Sequence, residues 1–272
     1  MTIARPKSSA ANPLALVFEA AALDAGRPIL AIHRAGPQAR YKADASPVTE
    51  ADEQAEAVIL AKLQRACPHI PIVAEEQAAA GRIPDIIKDS PFILVDPLDG
   101  TKEFINGHDD FTVNIALIED GVPVIGVVYA PALGIAYVGT PEGAEKLYID
   151  EEFRVIRREA MRARLTGTPD VALASRSHRC AQTDDFLSRC GASEIRTVGS
   201  SLKFCLIAEG VADIYPRFGR TMEWDTAAGD AVLRAAGGMT FDLNGNPLRY
   251  GKIGVSDRGD FSNPDFVARC LA

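Results

Sequence analysis

Apolar positions recur at two spacings along this 272-residue chain, and the change from one to the other marks out its elements. Leu14, Val17, Phe18, Ala21 and Ala25 fall three and four apart, the spacing that a 3.6-residue turn brings onto one face. Asn12 supplies a capping acceptor, Pro13 needs no N–H at the first helical position, and Gly36-Pro37 ends the run. Thr49-Glu50-Ala51-Asp52 reads as a capping box that opens a second helix through Ile59 and Leu63, with Pro68 as its stop. On this pattern alone Asp52 is a capping residue.

Beyond the helices the period shortens. Pro71 to Ala74 is a short strand ending at Glu75-Glu76, and Ala78 to Ser90 is a mixed loop with the make-up of a flap. The apolar run Phe92 to Val95 is a strand that stops at Asp96-Pro97-Leu98-Asp99. Phe111 to Glu119 and Pro123 to Ala130 are strands joined at Asp120-Gly121, and Ile135 to Val138 continues the meander. Gly139 to Arg164 then turns polar, its cluster Arg154, Arg157, Arg158, Arg162 and Arg164 reading as a solvated face. The remainder alternates: strand Val171 to Ala174, helix Asp184 to Arg189, strand Ile195 to Val198, helix Leu202 to Glu209, strand Val211 to Tyr215, helix Thr226 to Ala236, strand Met239 to Asp242. The expected class is α/β (α+β): residues 1–160 an antiparallel-rich sheet backed by helices, residues 161–272 an α/β half.

Composition narrows the function classes. The chain is 47% hydrophobic and 24% charged, as an ordinary globular protein is. A formal net charge of −8 argues against a nucleic-acid partner, which needs a basic surface. Five scattered cysteines without a Cys-x-x-Cys pair suggest neither a disulfide framework nor a zinc site, and fit a reducing cytoplasm. Glu19, Asp24 and Arg27 interrupt the apolar stretch Leu14 to Ile32 before it reaches the roughly 20 residues of a membrane span. No signal peptide is read, and Met1 to Ala11 reads as a mobile tail.

The candidate chemistry starts where the strand stops. Asp96 and Asp99 lie three positions apart, Pro97 is unsuited to continuing a ladder, and the turn it starts can aim the Leu98 carbonyl inward, an oxygen set suited to a hard cation. Gly100 and Thr101 offer lightly covered backbone N–H groups for an anionic phosphate. Adjacent Glu75 and Glu76 repel each other unless a cation, donors or solvent neutralise them. Asp225 reads as an N-cap that can also serve a metal, and Gly199-Ser200-Ser201-Leu202-Lys203 as helix initiation or a phosphate or sugar contact. Each of these, alone, is also ordinary turn or cap chemistry.

In their order and separation, Ala74-Glu75-Glu76, Asp96-Pro97-Leu98-Asp99-Gly100-Thr101 and Trp224-Asp225 resemble the magnesium-dependent, lithium-sensitive phosphatases related to inositol monophosphatase, from about Lys42 onward. The resemblance implies a layered α/β/α/β/α fold and Mg²⁺, two or three ions, held by Glu75, Asp96, the Leu98 carbonyl, Asp99 and Asp225. It adds a Thr101–Asp52 hydrogen bond that orients or deprotonates the attacking water, with Glu76 assisting. Finer wording is most like the 3'(2'),5'-bisphosphate nucleotidase branch, the CysQ type. It lies in Thr101-Lys102-Glu103-Phe104, Ser175-Arg176-Ser177-His178, the helix from Ser200 to Gly210, and Tyr215-Pro216-Arg217-Phe218-Gly219. The implied substrate is adenosine 3',5'-bisphosphate, the by-product of sulfate activation, cleaved to AMP and phosphate. Glu75, Leu98, Asp99, Gly100, Thr101 and Asp225 would meet it, with His178, Ser200, Lys203 and Arg217 as candidates for anionic or ribose contacts. Inositol or sugar phosphate hydrolysis is the neighbouring reading, and a non-catalytic nucleotide sensor the reading from another class. Monomer, homodimer and peripheral contact with the inner membrane all stay open. No Gly-x-Ser-x-Gly elbow or phosphate loop of the kinase type is present.

Overall fold

Asn12 Oδ1 accepts from the N–H groups of Leu14 and Ala15 at 3.2 Å, so α1 (Pro13–Ala35) starts at the expected cap and ends at Gly36. The structure, a computed structural model, describes residues 12–42, 46–86, 90–165, 167–254 and 257–271. The expected tail, the centre of the Lys42 to Val48 turn and residues 87–89 of the expected flap lie outside these. Short strands β1 (Arg40–Tyr41) and β2 (Pro47–Val48) pair before α2 (Glu50–Ala66). The capping box is present: Thr49 Oγ1 accepts from Ala51 N, and Asp52 Oδ2 accepts from Thr49 N at 2.8 Å.

After β3 (Ile72–Ala74) the chain turns at once into a one-turn helix, α3 (Glu75–Ala79), where sequence had placed a strand end and a loop. Two carboxylates favour a helix start, since the free N–H groups and positive dipole end face them. β4 (Phe92–Asp99) follows, then α4 (Thr101–Ile105), β5 (Thr112–Glu119), β6 (Val122–Ala130) and β7 (Ile135–Thr140). The ladder between β4 and β5 breaks between Asp96 and Asp99, as expected of Pro97, and resumes at Asp99 opposite Thr112. Asp120 and Gly121 both take positive φ, 49° and 70°, the geometry of the expected hairpin turn.

Gly139 to Arg164 is not a polar connection but holds β8 (Gly143–Ile149) and β9 (Val155–Met161), which complete a seven-stranded sheet of order β3-β4-β5-β6-β7-β8-β9. Arg154, Arg157, Arg158 and Arg164 of its cluster are paired as well as solvated. Arg158 meets Glu19 at 2.7 Å and Glu145 at 3.5 Å, and Arg157 stacks on Tyr148.

The second sheet is built from β10 (Val171–Ser175), β11 (Glu194–Val198), β12 (Ile214–Arg217), β13 (Gly238–Asp242) and β14 (Phe266–Cys270), in the order β11-β10-β12-β14-β13. Between them run α5 (Ala181–Arg189), α6 (Leu202–Ala208) and α7 (Glu223–Ala235). β12 begins at Ile214 rather than Val211, because Val211 N and Ala212 N turn back to Leu206 O at the end of α6.

Burial on both faces explains why β4 reads as a continuous apolar run. Ile93 and Val95 pack with Phe18, Ile29, Ile59 and Leu63 of α1 and α2, while Phe92 and Leu94 join Phe204, Trp224 and Val232 of α6 and α7. α6 and α7 also touch the second sheet, whose other face takes Leu187 of α5. The order of layers is therefore α1/α2, seven-stranded sheet, α6/α7, five-stranded sheet, α5.

Candidate active site

Because α7 lies between the sheets, its first turn faces the end of β4. Glu75, Asp96 and Asp225 each bring a carboxylate oxygen into a group whose members all lie within 4.8 Å of one another. Asp96 is 1% exposed and its Oδ1 accepts from Leu98 N at 3.0 Å. Burial, then the charges of Glu75, Asp99 and Asp225, holds its pKa well above the carboxylate range. Asp225 is raised likewise, by burial and then by Asp99 and Glu75. Like charges gathered out of water require a counter-charge, and oxygen donors at this spacing fit a hard divalent cation.

Asp225 is not the N-cap that sequence had made it. It is the third residue of α7, and its Oδ2 accepts from Met222 N at 2.8 Å. Asp52 has the same place in α2: Oδ2 takes the Thr49 N–H and hydroxyl, while Oδ1 accepts from Thr101 Oγ1 at 3.2 Å. Capping and site contact thus use different oxygens of one carboxylate. Burial against the opposing pull of Thr49 lifts the Asp52 pKa to about 6.

Asp99 stands beside the trio, outside that tightest group. Ser200 Oγ and Ser201 Oγ lie 2.8 and 2.9 Å from its Oδ2. Ser200 adopts a left-handed φ of 55°, held by its own Oγ, which accepts from Ser201 N, and by Asp110, which accepts from Gly199 N at 2.6 Å. Gly100, φ 93°, allows the turn into α4, where Thr101 Oγ1 also reaches Leu98 O at 3.2 Å.

A cavity of about 400 Å³ joins these groups to a cationic wall. Glu75, Asp96, Leu98, Asp99, Gly100, Thr101 and Asp225 line it together with Lys102, His178, Ser200, Lys203, Arg217 and Arg220 and the rings of Tyr215, Trp224 and Phe266. Lys203 is 3% exposed, its Nζ donates to Val198 O, and burial lowers its pKa to about 8. Arg217 is buried; its guanidinium donates to His178 O and Arg220 O, while Nε is buried with no partner among the described residues. His178 sits exposed at the rim. The atoms packed round its ring, then Arg217 and Lys102, lower its pKa to about 4, so it is neutral at pH 7.

Glu76 is the predicted residue the structure sets apart. It lines a neighbouring pocket with Lys42 and Glu56, and burial followed by the charge of Glu75 raises its pKa to about 7. Lys42 Nζ bridges it to Glu75, at 2.6 and 2.7 Å. Glu56 Oε2 accepts from Glu76 N at 2.7 Å and so fixes the first turn of α3. Sequence reasoning missed Lys42, Glu56 and Asn114, and read Ser201 as helix initiation or a phosphate or sugar contact where its hydroxyl bonds Asp99 and the Asp225 carbonyl. Of those missed, only Lys42 had a legible signal, a lysine just ahead of a run of acids.

With this geometry in hand the class is defined: the inositol monophosphatase family model matches residues 12–263, and the chain belongs to that family. It is 44% identical over 225 residues to the Escherichia coli K12 protein named 3'(2'),5'-bisphosphate nucleotidase CysQ, covering 83% of this chain and 86% of that one. The Salmonella typhimurium protein of the same name is 43% identical over 247 residues, 90% and 95% of the two chains. Among solved structures, CysQ from Bacteroides thetaiotaomicron superposes with a TM-score of 0.77 at 37% identity, covering 95% of this chain and 97% of that one. An inositol monophosphatase from Thermotoga maritima, 23% identical, shares the fold with a TM-score of 0.71 over 92% and 89% of the two chains.

Proposed function

We propose that the chain is a divalent-metal-dependent phosphomonoesterase that hydrolyses adenosine 3',5'-bisphosphate with water to AMP and inorganic phosphate. The observation that carries this reading is a single cavity lined both by the carboxylate group and by buried Lys203 and Arg217. A bisphosphate needs two anion sites of different kinds, and an inositol monophosphate leaves the second without a task. The names of the bacterial relatives support the same substrate.

Glu75, Asp96, the Leu98 carbonyl, Asp99 and Asp225 would hold Mg²⁺, two or three ions in all; the close grouping of Glu75, Asp96 and Asp225 and the raised pKa values of Asp96 and Asp225 fit that load. Bound there, the metal supplies charge for the scissile phosphate, acidity for the attacking water and support for the departing ribose oxygen. The protein's own part is to place groups. Thr101 Oγ1 holds the water in line and Asp52 Oδ1, ionised above pH about 6, receives the proton through it. Gly100 N and Thr101 N face the phosphate oxygens. Arg217 and Lys203 take the 5'-phosphate, with Ser200 and neutral His178 beside the ribose. Glu76, removed from the cavity and paired with Lys42, acts on Glu75 rather than on substrate. The free cysteines fit a reducing cytoplasmic setting.

Phosphate release measured with Mg²⁺, with and without EDTA, on adenosine 3',5'-bisphosphate and inositol 1-phosphate tests this. The expected result is metal-dependent turnover with kcat/KM at least about tenfold higher on the bisphosphate. Equal or better use of inositol 1-phosphate would overturn the substrate assignment, and turnover undiminished by EDTA would overturn the metal reading.

A further inference from the structure

Ser201 immediately precedes α6, where a serine ordinarily caps the helix. Its hydroxyl makes no capping bond there. The residue is 1% exposed, and its Oγ instead lies 2.9 Å from Asp99 Oδ2 and 2.6 Å from the backbone carbonyl of Asp225. Asn114 Nδ2 donates to the same Oγ at 3.0 Å. One hydroxyl is therefore surrounded by two acceptors and one donor, all belonging to other elements.

Asp99 ends β4, Asp225 opens α7, and Asn114 sits on β5. Ser201 joins all three. The hydroxyl has one proton, shared between Asp99 Oδ2 and the Asp225 carbonyl, so it holds the end of β4 and the first turn of α7 to a common point. Truncating the hydroxyl would leave Asp99 with Ser200 alone, on a residue of left-handed φ.

We propose that Ser201 is a positioning residue that sets the separation of Asp99 and Asp225 and so the affinity of the ion these two acids share. This rests on the metal reading given above. Groups behind a ligand ordinarily change metal affinity by about 10–100-fold when removed.

The test titrates Mn²⁺ alone into wild type, Ser201→Ala and Asp99→Asn, following free Mn²⁺ by electron paramagnetic resonance. The expected result is that Ser201→Ala weakens by about 10–100-fold the ion that Asp99→Asn loses, and leaves within about twofold the ion that Asp99→Asn retains. The Mg²⁺ concentration for half-maximal turnover should rise in step. Mn²⁺ binding by Ser201→Ala indistinguishable from wild type overturns the proposal, as does equal weakening of every ion, which a general loosening of the fold would give. Wild type that binds no Mn²⁺ overturns the metal reading itself and this inference with it.

Discussion

A carboxylate at the third position of a helix can cap and serve a site at once, and Asp52 and Asp225 both do so, Asp52 with a different oxygen for each. Capping was legible in the residues themselves; a site role stayed an open alternative for Asp225 and for both came through the family resemblance, because it depends on what a distant strand brings opposite. In Asp225→Asn the amide oxygen still accepts the Met222 N–H while the charge is gone. Turnover should fall by about a hundredfold or more, with the melting temperature within a few degrees of wild type. Phosphate release and a circular dichroism melt read the two effects separately, and retained turnover would remove Asp225 from the reaction. Lys203 gives a second prediction. Burial lowers its pKa to about 8, so it is cationic below that pH and neutral above it. kcat/KM for adenosine 3',5'-bisphosphate, which reports the free enzyme, should therefore decline as pH rises through about 8. In Lys203→Met that alkaline limb should be missing and kcat/KM low throughout; an unchanged limb would detach it from Lys203.

Among elements, α7 matters most to the site, and two glycines admit it to the sheet. A Cβ at Gly139 of β7 would come within 2.5 Å of Val232 Cα, and one at Gly126 of β6 within 2.4 Å of Ala228 O. Neither contact is with a flexible side-chain end, so Gly139→Ala must push the helix off the strand. It should cost about 1–3 kcal/mol in urea unfolding and lower turnover as well, since Asp225 rides on the first turn of α7. Destabilisation without loss of turnover would show that Asp225 tolerates displacement. Elements with an apolar period were legible: α1, α2, β4, β5, β6 and α7 all stand within a few residues of their expected places. β8 and β9 were not, because their stabilising contacts are cross-strand and charged. Glu145 is buried in β8 with Arg158 of β9 beside it, and a sequence shows the charges without the pairing. α3 escaped for another reason: it is one turn long, and its N-terminus is fixed by Glu56, twenty residues away on α2.

For the molecule as a whole, the acids that make the site are a cost to folding until a cation arrives. Lys42 offsets Glu75 and Glu76, but Asp96 and Asp225 have no side-chain cation bonded to them among the described residues. Asp52 is raised to about 6 and Glu76 to about 7, and Asp96 and Asp225 are raised well above their ordinary values. A carboxyl whose folded pKa exceeds its unfolded value binds more protons when folded. Its contribution to stability is full below the unfolded pKa of about 4 and is lost as pH rises through the folded pKa. The metal-free protein should therefore lose stability from pH 5 to 7.5. A formal net charge of −8 at pH 7 pushes the same way, because self-repulsion grows as acids ionise. Two kinds of group work in the opposite sense: Asp110, lowered by Arg176 and Gly199 against its burial, only below about pH 4, and His178, lowered to about 4, up to its unfolded pKa of about 6.5, where it stands as one group against the four raised carboxyls. On the proposed function, Mg²⁺ would bind the ionised acids and add RT ln(1 + [Mg²⁺]/Kd), about 2.7 kcal/mol at a hundred times Kd. Calorimetric melts in EDTA should thus show a melting temperature falling from pH 5 to 7.5, and melts in excess Mg²⁺ should recover most of the loss at pH 7.5 and little at pH 5, where protons occupy the same oxygens. A melting temperature that rises over this range in EDTA, or a Mg²⁺ effect as large at pH 5 as at 7.5, would mean that the raised carboxyls are not what the cation replaces.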